Sequence, residues 1–141
     1  MDHWLFWSLL SALFAGLTAI LAKIGVAGVD SNVATAIRTT VILLFAWGIA
    51  FTFHPRLGLS EIGKRTWIFL ALSGLATGLS WICYFRALQL GEASKVAPVD
   101  KLSVVFAIVL AAVVLKEQIS LQQGIGAGLI LLGALVLAFS R

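Results

Sequence analysis

Apolar residues fill most of the chain in long runs, and short polar stretches separate these runs. A helix needs about 20 predominantly apolar residues to cross the hydrocarbon core of a bilayer. Five segments of the 141-residue sequence meet this requirement: Trp4–Ala22, Val33–Phe53, Thr66–Leu88, Ala93–Leu115 and Leu121–Phe139. The pattern predicts an all-α integral membrane bundle of five transmembrane helices, which form a single transmembrane domain over residues 1–141.

The stretches between the runs contain residues typical of turns and helix starts. Asp30, Ser31 and Asn32 precede the second run and are candidate N-caps, because their side-chain oxygens can accept hydrogen bonds from first-turn N–H groups. Ser120 is followed three residues later by Gln123, which predicts a capping box at the start of the fifth helix.

Composition agrees with a membrane protein. The chain is 61% hydrophobic and 11% charged, whereas soluble domains are about half apolar and about a quarter charged. Cys83 has no partner for an internal disulfide, and no Cys/His cluster has zinc spacing. Basic residues mostly bracket the apolar runs, where lipid headgroups lie. We therefore expect the lipid bilayer as surroundings, no nucleic-acid partner, no metal and no cofactor.

Basic residues near the spans are balanced across the membrane. Each side carries four, if the two inside spans are left out: Arg56, Lys64, Arg65 and Lys116 on one side, and Lys23, Arg86, Lys95 and Arg141 on the other. The difference between such counts orients a membrane protein. The equal counts leave two interpretations open: one orientation dominates with slightly shifted span ends, or the chain inserts both ways and pairs antiparallel.

Three charged residues fall inside predicted spans. Asp100 and Lys101 lie in the fourth and Arg38 in the second, about 10 Å and about 8 Å into their helices at 1.5 Å per residue. Each charge there costs about 2.5–3.5 kcal/mol. Because adjacent helical residues point about 100° apart, we expect Asp100 to pair with Arg38 rather than with Lys101. Pro98 removes one helical hydrogen bond, so the fourth helix should bend or loosen around it.

Two interpretations of these charges stay open. They form a buried network that stabilises assembly, or they line an aqueous cavity that binds a charged substrate or coupling ion. In the second case Asp100 binds a proton, a cation or a cationic substrate, and Lys101 balances its charge or holds a substrate carboxylate. Trp81 and Tyr84 either pack the third helix, as Phe85 does, or line that pocket.

Small residues recur four apart on the third and fifth helices, at Gly74 and Gly78 and at Gly124 and Gly128. Such residues let helix backbones approach closely in lipid. We expect them to pack within the bundle.

Residues 87–139 contain three sequence features specific enough to compare with a known family. They read A-L-x-x-G-x-A-S-x-V-A-P into the fourth helix, then Glu117 in the following loop, then G-x-G-L-I-L-L-G in the fifth helix. Earlier, AIRTTVILLFAW resembles a second helix that opens with an arginine. In these features the chain resembles an EamA-type repeat of the drug/metabolite transporter superfamily.

The resemblance implies a five-span half of a ten-helix inverted-repeat transporter, whose substrate site lies at the repeat interface near the midplane. A homodimer of antiparallel subunits would restore the missing half, as in the similar small multidrug-resistance proteins. Most ten-span members have apolar or small residues at the positions of Asp100 and Lys101. The stretch APVDKLS resembles the corresponding stretch of short single-repeat members.

The function implied by the resemblance is secondary transport of a small-molecule substrate, a metabolite or drug, by alternating access across the cell's inner membrane. The alternative is a non-transporting membrane subunit that assembles with a partner membrane protein. An enzyme is not expected, because the sequence contains neither H-E-x-x-H nor G-x-S-x-G. It also lacks a Walker motif, which argues against direct ATP coupling.

Overall fold

The computed structural model describes residues 3–53, 59 and 62–140, and in these ranges the chain is helical without any strand. The helices are α1 (His3–Gly25), α2 (Ser31–Phe53), α3 (Lys64–Leu90), α4 (Ala93–Asp100), α5 (Ser103–Val114) and α6 (Leu121–Ala138). Five stretches are long and apolar enough to cross a membrane, since α4 and α5 together form the fourth. The predicted all-α architecture with five spans is confirmed.

Three helices, α1, α2 and α3, extend beyond the apolar runs that predicted them, whereas α5 and α6 end one residue earlier than predicted. α3 begins two residues before Thr66 and ends two residues after Leu88, and α1 continues to Gly25. An apolar run stops at the first polar residue, whereas helical hydrogen bonding continues into the headgroup region, where polar side chains are solvated.

Side-chain caps fix two of the helix starts. Asp30 Oδ1 accepts hydrogen bonds from the N–H groups of Asn32, at 2.8 Å, and Val33, at 3.3 Å, so Asp30 caps α2. The N–H of Gln123 donates to Ser120 Oγ at 3.2 Å, and the N–H of Ser120 donates to Gln123 Oε1 at 2.8 Å. The predicted capping box at the start of α6 is thus confirmed.

The fourth span is interrupted two residues after Pro98. α4 ends at Asp100, and two residues separate it from α5. Across this interruption the N–H of Lys101 donates to the Pro98 carbonyl at 3.1 Å, and the N–H of Leu102 donates to the Val99 carbonyl at 3.0 Å. These bonds join residues three apart, as in a 3₁₀ turn. Pro98 itself has no N–H, so the helical bond four residues back cannot form there. We call Lys101 and Leu102 the α4–α5 break.

The chain divides into two compact units, and residues 24–89 form one of them. Its buried residues lie where α2 begins and α3 ends, namely Val26, Ser31, Thr35, Phe85 and Leu88. The same end is tied by Gln89, whose Nε2 donates to the Val29 carbonyl at 2.6 Å. The other end of α2, and the start of α3 as far as it is described, contribute no buried residue.

Residues 1–23 and 90–141 form the second unit. Both α4 and α5 pack against α6. Lys23 Nζ donates to the Gly91 carbonyl at 2.7 Å, which ties the last turn of α1 to the turn before α4. The buried residues Ala19, Ala22 and Ala134 lie near the ends of α1 and α6.

Large apolar side chains are exposed along the described helices, Leu13 at 67% and Phe106 at 68% among them. Such a surface suits a lipid environment. The spaced glycines are open as well: a Cβ built at Gly74, Gly78 or Gly124 meets no atom of the described neighbours within 4 Å, and the same holds at Gly128. The expected packing of these glycines within the bundle is therefore not made by the described part of the chain.

Candidate functional site

Arg38 of α2 lies over two aromatic rings of α3. Its Cζ atom is 4.4 Å from the centroid of the Trp81 ring and 5.5 Å from that of Phe85. Trp81 and Phe85 are four residues apart, so they lie on the same face of α3, one turn from each other. Phe85 is only 3% exposed, whereas Trp81 is half-buried. We call these two residues the aromatic platform.

Tyr84 belongs to the same neighbourhood. Its ring contacts the Phe85 ring edge-on at 6.5 Å between centroids, and it lies within electrostatic range of Arg38. The structure thus brings together Arg38, Trp81 and Tyr84, all three of which the sequence had suggested as site residues. The sequence interpretation gave Phe85 only a packing role and missed its ring contact with Arg38. The spacing of four residues between Trp81 and Phe85 was the sequence signal that could have revealed this contact.

The rings compensate the Arg38 charge without using its hydrogen-bond donors. Within residues 24–89, Arg38 forms no ion pair and donates no hydrogen bond to a described residue. A cation over an aromatic ring gains about 0.5–1 kcal/mol when exposed and about 2 kcal/mol or more when desolvated. A guanidinium has five N–H donors in a rigid fork. Arg38 is therefore a positioned cation that can still bind an anionic group.

Asp100 and Lys101 form a second charged site, at the α4–α5 break. Lys101 Nζ lies 3.5 Å from Asp100 Oδ2, so the expectation that these neighbours do not pair was wrong. That expectation assumed a continuous helix. Asp100 is instead the last residue of α4, and Lys101 lies in the turn that follows, from which its long side chain reaches back.

This pair is at least partly exposed on the chain, with Asp100 half-buried. The side chain of Lys101 is 55% exposed and that of Asp100 is 37% exposed. Asp100 lies in the second unit and Arg38 in residues 24–89, so their expected pairing stays a prediction. The substrate- or ion-binding roles of the named residues likewise stay predictions.

The other charges of the described residues lie near helix ends. Lys95 and Glu92 form an ion pair of 3.7 Å at the start of α4, and Arg86 donates to Gln89 Oε1 at 3.1 Å near the end of α3. Solvation accounts for both. No group of three or more His, Cys, Asp or Glu in the described ranges could hold a metal ion.

These features define an integral membrane protein that crosses the bilayer several times. The chain belongs to the EamA-like transporter family, whose sequence profile matches residues 2–139. It is similar to a Sinorhizobium sp. protein described as "Uncharacterized transporter in cobO 3'region", with 53% identity over 137 residues that cover 97% of each chain. No solved structure matches it. The family indicated by the sequence motifs is thereby confirmed.

Proposed function

We propose that the protein is a secondary transporter of small metabolites or drugs in the cell's inner membrane, and that it works by alternating access as an antiparallel homodimer. Membership of a transporter family supports the general function. The exposed Asp100–Lys101 pair inside the fourth span supports the assembly, and it is the observation on which the proposal chiefly rests.

A single chain in lipid would leave this pair in an unfavourable place. Asp100 is the eighth residue of α4, about 10 Å along the helix, and charges at such depth are rare unless they face a protein interior or a water-filled cavity. A second copy that covers the α4–α5 break and encloses water removes this difficulty. Inverted-repeat transporters place their substrate site at such an interface.

The open glycines of α3 and α6 also favour a second copy. A Cβ at Gly74, Gly78, Gly124 or Gly128 would meet no atom of the described residues within 4 Å. Small residues at this spacing allow close helix contact in lipid. The equal numbers of basic residues on the two sides favour an antiparallel pair. Arg56 and Arg141, which enter that count, lie outside the described residues.

In this proposal Asp100 is the coupling group, which binds and releases a proton or cation, and Lys101 balances its charge. The α4–α5 break supplies the hinge, since a 3₁₀ stretch within a helix often marks a functional hinge. The two subunits rock against each other around the polar cavity and open it to one side at a time.

The assembly is tested with variants of biased orientation. One variant carries lysines in place of Gln118 and Ile119, and the other carries lysines in place of Ala27 and Asn32, so the two are expected to insert in opposite directions. C-terminal reporters should detect the parent on both sides and each variant on one. Each variant alone should lack uptake, and co-expression of both should restore it. A single C-terminal location in the parent would overturn the antiparallel dimer.

Transport itself is tested with the purified chain in liposomes. Uptake of labelled amino acids, labelled organic acids and cationic dyes is measured with and without a proton gradient. Uptake by the chain alone supports a transporter. Uptake that appears only after a co-purified membrane protein is added supports the alternative, a subunit without transport activity of its own.

A further inference from the structure

We propose that Arg38, held on the aromatic platform, binds the acidic group of a small organic anion, a carboxylate or a phosphoryl group. Half-buried Trp81 would contact the apolar part of the same molecule. The proposal rests on the proposed function, because it names the chemical class of the transported substrate.

The first step in the argument is that Arg38 is held in place. Two rings from consecutive turns of α3 lie beside its guanidinium, 4.4 Å and 5.5 Å away. Of these two rings, that of Phe85 is buried and contacts the Tyr84 ring edge-on. A side chain positioned in this way loses less conformational freedom on binding a ligand than a free arginine does.

The second step is that no described carboxylate of residues 24–89 forms an ion pair with Arg38. Arg38 is the eighth residue of α2, about 10 Å from the helix start. Ring faces attract the cation but carry no formal negative charge. The N–H fork of arginine matches the two oxygens of a carboxylate or phosphoryl group, which it binds through paired charge-assisted hydrogen bonds.

A second arginine of the chain shows what an ordinary arrangement looks like. Arg65 lies 5.8 Å from the ring of Phe69, but it is exposed and is the second residue of α3. Headgroups and water solvate a cation at such a helix end. Arg65 is thus a matched control: an arginine beside an aromatic ring, without the depth or the buried platform.

The test compares three ligands of similar shape that differ in charge. The purified dimer is placed in phosphatidylcholine nanodiscs, and its thermal stability is measured with benzoate, benzamide or benzylamine at equal concentrations. A ligand that binds the native state raises the midpoint by mass action. Benzoate should raise it, and the neutral amide and the cationic amine should not. Equal stabilisation by benzamide, or none by benzoate, would overturn the proposal.

Variants assign the effect to Arg38. Arg38→Gln should weaken benzoate binding about 10- to 100-fold, the loss expected for one or two charge-assisted hydrogen bonds. Arg38→Lys keeps the charge but loses the fork of N–H donors, so its affinity for benzoate should lie between those of the parent and Arg38→Gln. Arg65→Gln should bind benzoate like the parent. If Arg38→Gln does not fold, Arg38→Lys decides: unchanged benzoate affinity in that variant overturns the proposal.

Two further arms separate the sources of the anionic group. If the anion is a solute, benzoate should also stabilise the dimer in nanodiscs that contain phosphatidylglycerol. Loss of the benzoate effect there would assign the site to a lipid headgroup and overturn the assignment to a substrate. Benzoate binding that appears only in the Asp100→Asn variant would show that Asp100 neutralises Arg38 in the parent. This result would also overturn the proposed anion site.

The outcome is independent of the test of transport. Arg38-dependent benzoate binding without uptake of any solute would support the anion site and contradict the transporter. Uptake that is unchanged in a folded Arg38→Gln would support the transporter and overturn the anion site.

Discussion

The chain holds charge inside its spans in two different ways. Arg38 and Asp100 are each the eighth residue of their helices. Arg38 lies over two rings of its own unit, one of them buried. Among the described residues of its own unit, Asp100 pairs with the adjacent Lys101, at a helix break and with both side chains at least partly exposed. The first charge is supported by neighbours in its own unit, and in the proposed dimer the second is covered by the partner subunit.

This difference separates the two sites by their contribution to the stability of the single chain. The aromatic platform is part of a packed end of its unit, so changes there should alter folding. The Asp100–Lys101 pair contributes little to the packing of the single chain, so changes there should alter transport and assembly. The predictions below test this separation, from the largest expected effect to the smallest.

Asp100→Asn should reduce uptake to background while the protein still folds and dimerises. The substitution keeps the size and hydrogen bonding of the side chain but removes the charge that can bind a proton or cation. Because the pair is exposed in the single chain, the free energy of unfolding should change by less than about 1 kcal/mol. Liposome uptake, measured across pH, and size-exclusion chromatography test both parts.

Glu92→Gln is the matched control, since Glu92 also pairs with a lysine, Lys95, but at the start of α4. It should transport like the parent. If Asp100→Asn instead failed to assemble, the pair would be a structural network with a cost of about 3–5 kcal/mol for the unpaired buried cation. If it transported normally at every pH, Asp100 would have neither role.

Phe85→Ala should destabilise the chain by about 3 kcal/mol or more, because Phe85 is 3% exposed and its loss leaves a cavity beneath Arg38. Phe106→Ala is the control: Phe106 lies in α5 near the α4–α5 break and is 68% exposed, so its loss should cost much less. Unfolding in mixed micelles measures both. Equal costs would contradict the difference in packing between the two regions.

The spans were predictable because the solvent leaves few alternatives. Backbone N–H and C=O groups in hydrocarbon must bond within the segment, so a long apolar run is a helix. Helix caps were predictable for a similar reason: Ser120 and Gln123, or Asp30, satisfy backbone groups a few residues away. All of these features depend on local sequence.

The charged sites depend on more than local sequence. Pro98 indicated that the fourth helix would loosen, but not that α4 would end at Asp100 and let Lys101 reach its neighbour. The contact of Arg38 with Trp81 depends on how α2 and α3 are rotated about their own axes. The apolar residues of these two helices do not determine that rotation. A helix with apolar residues on every side has no preferred face.

Trp81→Leu should lower stability by about 1–2 kcal/mol, the contribution of a partly desolvated cation–π contact. Trp47→Leu is the control, because Trp47 contacts another ring, Phe51 at 5.6 Å, and no described cation. The difference between the two variants should disappear when Arg38 is replaced by Met. If it persisted, Trp81 would stabilise the chain by packing alone, and the platform would not hold Arg38.

The smallest expected effect is the coupling energy within each ion pair. Double-mutant cycles that combine Asp100→Asn with Lys101→Met, and Glu92→Gln with Lys95→Met, isolate the two couplings. In micelles both should be below about 1 kcal/mol, since all four side chains are at least 37% exposed.

In lipid nanodiscs the two couplings should diverge. The Glu92–Lys95 coupling should not change, because water and headgroups screen charges at the start of α4. The Asp100–Lys101 coupling should rise, because the water enclosed in a small cavity between subunits screens charges less than bulk water does, and the local dielectric constant is lower. Equal couplings in the bilayer would mean that the pair at the α4–α5 break is as well hydrated as one at the membrane surface. The second copy would then not be needed to cover it.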